Sequence, residues 1–172
     1  LGIHTTFFGQ GRLPQRPITA YLRELTKKGI TFDYHNTMPF TIDGKLRSGV
    51  FELEGDVSSQ YVTGLLFALP LLDGDSEIRM LSKLESKPYV DLTIACLRHF
   101  GIAVQETEQG YAVAGGQQYH ACDLTVEGDY SQAAFFCVAN ALGSDITLTN
   151  LNPESVQGDK KIVEIVREMC YN

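Results

Sequence analysis

A chain of 172 residues, 44% of them hydrophobic and 20% charged, is long enough for one ordinary domain or two small units around a core. Its net charge of -7 argues against nucleic acid as the main partner, since neutralising phosphates takes a basic surface. A membrane span needs ~18 consecutive apolar residues, and the run from Leu65 to Leu72 is shorter and broken by Pro70.

In chain order, the opening Leu1-Gly2-Ile3-His4 has no Met, basic region or cleavage-like site, so it reads as a chain that begins mid-protein rather than as a signal peptide. Arg12 and Arg16 flank a Pro-containing turn, Gly11 to Pro17. Either guanidinium can grip a carboxylate or phosphate with its planar fork, or stand as a solvated charge. Arg16-Pro17-Ile18 then leads through Tyr21, Leu22 and Leu25 to Gly29, a helix with Pro at its start and Gly at its stop. Phe51-Glu52-Leu53-Glu54 alternates as a strand.

Gly55-Asp56-Val57-Ser58-Ser59-Gln60 follows, opening an apolar helix. Such a terminus presents unpaired N–H groups and a positive dipole end, to which Ser58, Ser59 and Gln60 add hydroxyl and amide groups suited to an anion. The same residues read equally as a plain cap, with Asp56 or Ser58 at the N-cap. A strand is predicted over Ser76 to Met80. Ser86-Lys87-Pro88-Tyr89 then opens a second helix that runs through Leu92, Ile94 and Leu97 to Gly101. Further strands are predicted at Ile102 to Gln105, Tyr111 to Ala114, Leu124 to Glu127 and Ile146 to Thr149, with Glu106 and Glu108 on a solvated hairpin turn.

Two elements recur. Glu54-Gly55-Asp56 with Ser58 returns 73 residues later as Glu127-Gly128-Asp129 with Ser131, each after an alternating stretch and before an apolar helix. Arg16-Pro17-Ile18 to Gly29 likewise returns as Lys87-Pro88-Tyr89 to Gly101. The unit reads strand, helix, strand, helix, strand, strand. One complete copy spans about Phe51 to Gly115, after the tail of one (Ile3 to about Gly44) and before the head of another (about Leu124 to Asn172).

Cys96, Cys122, Cys137 and Cys170 show no CxxC or zinc spacing, and Cys96 and Cys137 are expected to behave as small buried hydrophobes. His4, His35, His99 and His120 are scattered without a catalytic partner pattern. Ala114-Gly115-Gly116 lacks the Lys-Ser/Thr of a phosphate loop. A reduced, cytoplasmic protein without a metal is expected.

Arg16-Pro17-Ile18, Gly55 to Tyr61, Ser86 to Tyr89, Val126 to Asp129 and Ser155-Val156-Gln157-Gly158-Asp159, taken together in their order and spacing, resemble EPSP synthases over essentially the whole chain. The resemblance implies an α/β fold of repeated βαβαββ units, part of the inside-out α/β barrel of enolpyruvyl transferases. It also implies transfer of the enolpyruvyl group of phosphoenolpyruvate to the 5-hydroxyl of shikimate 3-phosphate, in the shikimate pathway to aromatic amino acids, with no cofactor. Ser58, Ser59, Ser86 and Tyr89 would hold shikimate 3-phosphate, and Gln60 would touch both substrates. Arg16 would bind phosphoenolpyruvate and the inhibitor glyphosate in the same place.

Arg12 receives no ligand contact, and Asp129 reads as a cap or hinge residue. Residues 1–124 would belong to the first lobe and residues 125–172 would start the second, with the crossover near Leu124 to Asp129. The family's Lys-Ser loop and its catalytic second-lobe residues would lie outside this internal segment, which thus has no catalytic residue of its own and is expected to be inactive alone. The alternatives are the UDP-N-acetylglucosamine enolpyruvyl transferase of the same fold and a non-catalytic binding module.

Overall fold

The computed structural model describes residues 2–170. The chain runs β1 (Thr5–Phe7), α1 (Thr19–Lys27), β2 (Ile30–Asp33) and β3 (Phe40–Gly44), then β4 (Val50–Leu53), α2 (Ser59–Ala68) and β5 (Ser76–Met80). It continues with α3 (Lys87–His99), β6 (Gln105–Thr107), β7 (Gly110–Val113), α4 (Tyr130–Ala141) and α5 (Ile162–Cys170).

From β4 to β7 the predicted unit is realised as one open four-stranded sheet in the order β4-β5-β7-β6. β4 and β5 are parallel, joined through α2, while β7 runs antiparallel to both β5 and β6. The three-stranded sheet β1-β3-β2 repeats the order of β5-β7-β6, with α1 in the place of α3. The first segment is thus the tail of the same unit.

Alternation along β4 turns Phe51 and Leu53 inward while Glu52 stays half-exposed, as a period of two requires. Phe51, Val62, Leu66, Leu69, Ile78 and Val90 lie in one core at 0% exposure. Each such side chain contributes about 1.5–3 kcal/mol relative to exposure. α1 and α3 end where expected, because Gly29 (φ 93) and Gly101 (φ 81) take the left-handed conformation that stops a helix.

Four expectations need correction. Pro17 precedes the α1 N-cap, Ile18, whereas Pro88 does sit in the first turn of α3. The strand expected from Ile102 begins at Gln105, although Ile102 and Val104 stay buried around an exposed Ala103. There the Gln117 side chain replaces a neighbouring strand, accepting from the Ala103 N–H at 2.8 Å and donating to its carbonyl at 3.0 Å. Leu124 to Glu127 and Ile146 to Thr149 form no ladder; a Gly128 N–H to Asn150 carbonyl bond (2.7 Å) and an Asn150 amide to Val126 carbonyl bond (3.0 Å) tie the first stretch to Asn150. A strand requires a partner edge as well as alternation, and among the described residues no sheet includes these stretches. Cys96 and Cys137 are half-buried rather than buried, and Cys122 is exposed.

Candidate substrate site at the helix N-termini

The strand directions decide where the polar motifs meet. β4, β5 and β6 run the same way, so α2 and α3, which return between them, start at the same end of the sheet, beyond the C-terminal ends of β4 and β5. α1 lies along the β4 edge in the same sense. Near its N-terminus the Pro17 carbonyl accepts from the Tyr61 hydroxyl of α2 at 2.6 Å, and at its other end the Lys28 carbonyl accepts from the Arg47 N–H just before β4. Open α/β sheets bind ligands at this end, where strands finish and helices begin. Arg16, Ser58 to Gln60 and Ser86 to Tyr89 are therefore carried on one side of the molecule.

Glu24 locks α1 onto that edge. Its carboxylate, 1% exposed, accepts from the Glu52 N–H at 3.0 Å, from Lys27 at 2.8 Å and from Arg23 at 2.8 Å. Burial alone pushes this carboxyl up, but the Glu52 N–H and the Lys27 and Arg23 contacts together hold it below the ordinary carboxylate value. Arg23 also donates to Glu54 at 2.6 Å and to the Glu52 carbonyl at 2.6 Å, so an unpaired sheet edge is covered by charge-assisted bonds.

At the start of α2, Ser58 is the N-cap: its Oγ accepts from the Gln60 N–H at 3.2 Å. The cap uses an oxygen lone pair and leaves the hydroxyl proton free to donate. Among the described residues the side chains of Ser59, Gln60, Ser86 and Arg16 make no hydrogen bond within the protein. Arg16 and Gln60 are exposed, and Ser58, Ser59 and Ser86 are half-buried.

Two loops bring the α2 and α3 starts together. The Gly55 N–H donates to Ser82 Oγ at 2.9 Å, Ser82 donates to Asp56 at 3.1 Å, and the Glu85 N–H donates to the Gly55 carbonyl at 3.2 Å. A Cβ at Gly55 would stand 2.6 Å from the Lys83 carbonyl oxygen, so this approach requires glycine. Further along, Thr93 donates to the Tyr89 carbonyl at 2.9 Å, which leaves Thr63 as the donor in its 3.1 Å bond to Thr93. Asp56 is thus held by Ser82 and is not the cap.

Tyr89 is 55% exposed, and its phenol donates to Asp159 at 3.2 Å. The Asp159 charge raises the Tyr89 pKa and keeps the phenol a proton donor. Arg12 is the N-cap of a short 3-10 turn, Leu13–Gln15, and is exposed. Asp129 caps α4, with its carboxylate accepting from Ser131 Oγ at 2.6 Å and from the Ser131 N–H at 2.8 Å; these bonds lower its pKa. Sequence reasoning missed Ser82, the Tyr89–Asp159 bond and the Tyr21–Tyr61 contacts. Ser82 carries no local signature, Asp159 was seen only as the end of the Ser155 to Asp159 motif, and Tyr21 only as one more apolar position in a helical stripe.

The 3-phosphoshikimate 1-carboxyvinyltransferase of Clostridium kluyveri is 46% identical over 171 residues, which is 98% of this chain and 40% of that protein. That of Clostridium beijerinckii is 44% identical over 165 residues, 95% of this chain and 38% of that protein. The chain therefore spans about two fifths of the length of these curated relatives. An EPSP synthase structure from Acinetobacter baumannii superposes with a TM-score of 0.74 at 23% identity, covering 98% of this chain and 38% of that one, and shares the fold. The family model for EPSP synthase (3-phosphoshikimate 1-carboxyvinyltransferase) matches residues 1–172, and the chain belongs to that family.

Proposed function

We propose that this chain forms one wall of the substrate site of an enzyme that transfers the enolpyruvyl group of phosphoenolpyruvate to the 5-hydroxyl of shikimate 3-phosphate, releasing phosphate. Ser58, Ser59, Ser86 and Tyr89 hold shikimate 3-phosphate. Arg16 holds phosphoenolpyruvate, or glyphosate in its place, and Gln60 lies between the two. The observation that carries this reading is the set of polar side chains at the neighbouring starts of α2 and α3, of which Ser59, Gln60 and Ser86, with Arg16 beside them, make no side-chain hydrogen bond among the described residues. Helix starts attract anions through unpaired N–H groups and the dipole, and a planar guanidinium suits a carboxylate or phosphate.

Residues 1–124 are assigned to the first lobe and residues 125–172 to the start of the second, in a cytoplasmic enzyme. Among the described residues no helix is long and apolar enough to cross a membrane. The wall positions substrates, while proton transfer at the reacting carbons needs groups from an opposing wall, so the 172-residue chain alone has no useful turnover. Calorimetric titration of the chain with shikimate 3-phosphate, beside a Ser59→Ala variant, tests the assignment. Binding that the variant loses supports it. Folded chain that binds nothing, or a variant that binds equally well, sinks the claim that this wall holds substrate by itself.

A further inference from the structure

Arg16 and Gln60 belong to different repeat units, and what spans them is a pair of crossed phenols. The Tyr61 hydroxyl of α2 donates to the Pro17 carbonyl at 2.6 Å, one residue from Arg16. The Tyr21 hydroxyl of α1 donates back to the Tyr61 carbonyl at 2.9 Å, one residue from Gln60. Their rings meet edge to face with centroids 4.8 Å apart. Burial raises the pKa of both phenols, so both remain proton donors across ordinary pH. Room for Tyr21 comes from Gly64, one turn along α2: a Cβ there would collide with the Tyr21 hydroxyl. Glycine inside a helix is otherwise unfavourable relative to alanine.

We propose that Tyr21 and Tyr61 are positioning residues, a two-hydroxyl latch that fixes the Arg16 turn against the start of α2 and so sets the spacing between the two substrate halves. The substrate part of this inference rests on the assignment of Arg16 and Ser58 to Gln60 made above. The latch itself rests only on the two hydroxyls and the glycine. Neither tyrosine touches substrate; each acts through the backbone beside a residue that does.

Three variants of the 172-residue chain test it: Tyr61→Phe, Tyr21→Phe and Gly64→Ala. The first two are nearly isosteric and keep the aromatic contact. Amide hydrogen exchange at Gln15, Arg16 and Ile18 is expected to rise about fivefold in Tyr61→Phe, in line with the loss of one net hydrogen bond. Gly64→Ala should match Tyr21→Phe, and adding it to Tyr21→Phe should change this exchange no further.

Phosphoenolpyruvate affinity, titrated in the presence of shikimate 3-phosphate, should fall about fivefold in Tyr61→Phe while affinity for shikimate 3-phosphate alone stays within about twofold. A purely structural role would weaken both together. Unchanged exchange in the phenylalanine variants, or in Gly64→Ala, overturns the latch whether or not ligand binds. Faster exchange with both affinities unchanged overturns the positioning role. If the parent chain binds neither ligand, the substrate assignment fails while exchange still decides the latch.

Discussion

Two stretches of this chain share a local pattern and end in opposite surroundings. At the 73-residue offset Leu53 corresponds to Val126, Val62 to Phe135 and Leu69 to Leu142. The first of each pair is 1%, 0% and 0% exposed, and the second is 79%, 72% and 83% exposed. Between Val50 and Val113, α2 and α3 lie on a paired sheet over a shared apolar core. Between Leu124 and Cys170, α4 and α5 touch one another beside buried Tyr130 and Ala133, and a polar network ties the segment together. Glu127 accepts from Ser155 and from the Gln157 amide, and Gln157 in turn accepts from the Tyr130 N–H at 2.9 Å. Gln157 and Ser155 together lower the Glu127 pKa. Helix caps are local and repeat with the sequence; burial needs an opposing surface and does not.

The largest expected contrast is in truncation. Leu69→Ala should cost about 3 kcal/mol in denaturant unfolding, as for a fully buried leucine, whereas Leu142→Ala should stay within about 0.5 kcal/mol. Equal losses would break the comparison.

Next in size is Glu24→Gln, expected to cost about 2 kcal/mol at pH 7 because it weakens charge-assisted bonds at a buried site. The folded carboxyl lies below its unfolded value of about 4.3, so its contribution is present above that pH and is lost as pH falls through the folded value. Urea melts from pH 7 to pH 2 should therefore show a flatter acid limb in the variant, with the two chains converging at the acid end.

Removing either cap should cost about 1 kcal/mol, but the two losses should be read by different probes. Ser58→Ala lowers the global transition, whereas Asp129→Ala speeds amide exchange within α4 and leaves the main transition in place. Smallest in stability is Arg16→Ala, within about 0.5 kcal/mol because the side chain is exposed and has no ion-pair partner among the described residues, yet it should abolish phosphoenolpyruvate binding in the same titration.

The complete unit and a cap at either Asp56 or Ser58 were legible because turn chemistry, alternation and helical spacing are written within a few residues, while Asp129 was read as a cap or a hinge. The grouping of Ser58 to Gln60 with Ser86 to Tyr89 came only from the family resemblance; the parallel return of β4 to β5, which carries both helix starts to one end of the sheet, was not read from the sequence. Less accessible was anything decided by a distant partner. Glu24 has no sequence mark that separates it from a solvated glutamate; its burial depends on the β4 edge, 28 residues away. The Tyr21 and Tyr61 hydroxyls are silent for the same reason, and the alternation of Leu124 to Glu127 could not announce that no ladder would receive it.

The polar network around Glu127 has a calorimetric consequence. Heat-capacity change on opening scales with apolar area newly exposed to water, and α4 already presents Phe135 and Leu142 to solvent. Opening of residues 124–170 should therefore carry little heat-capacity change, with a free energy nearly linear in temperature. The unit from Val50 to Val113 should instead follow a curved dome, most stable near or below room temperature. Warming and cooling would then act on one chain in two different ways, loosening the α4 segment steadily while the packed unit passes through its optimum.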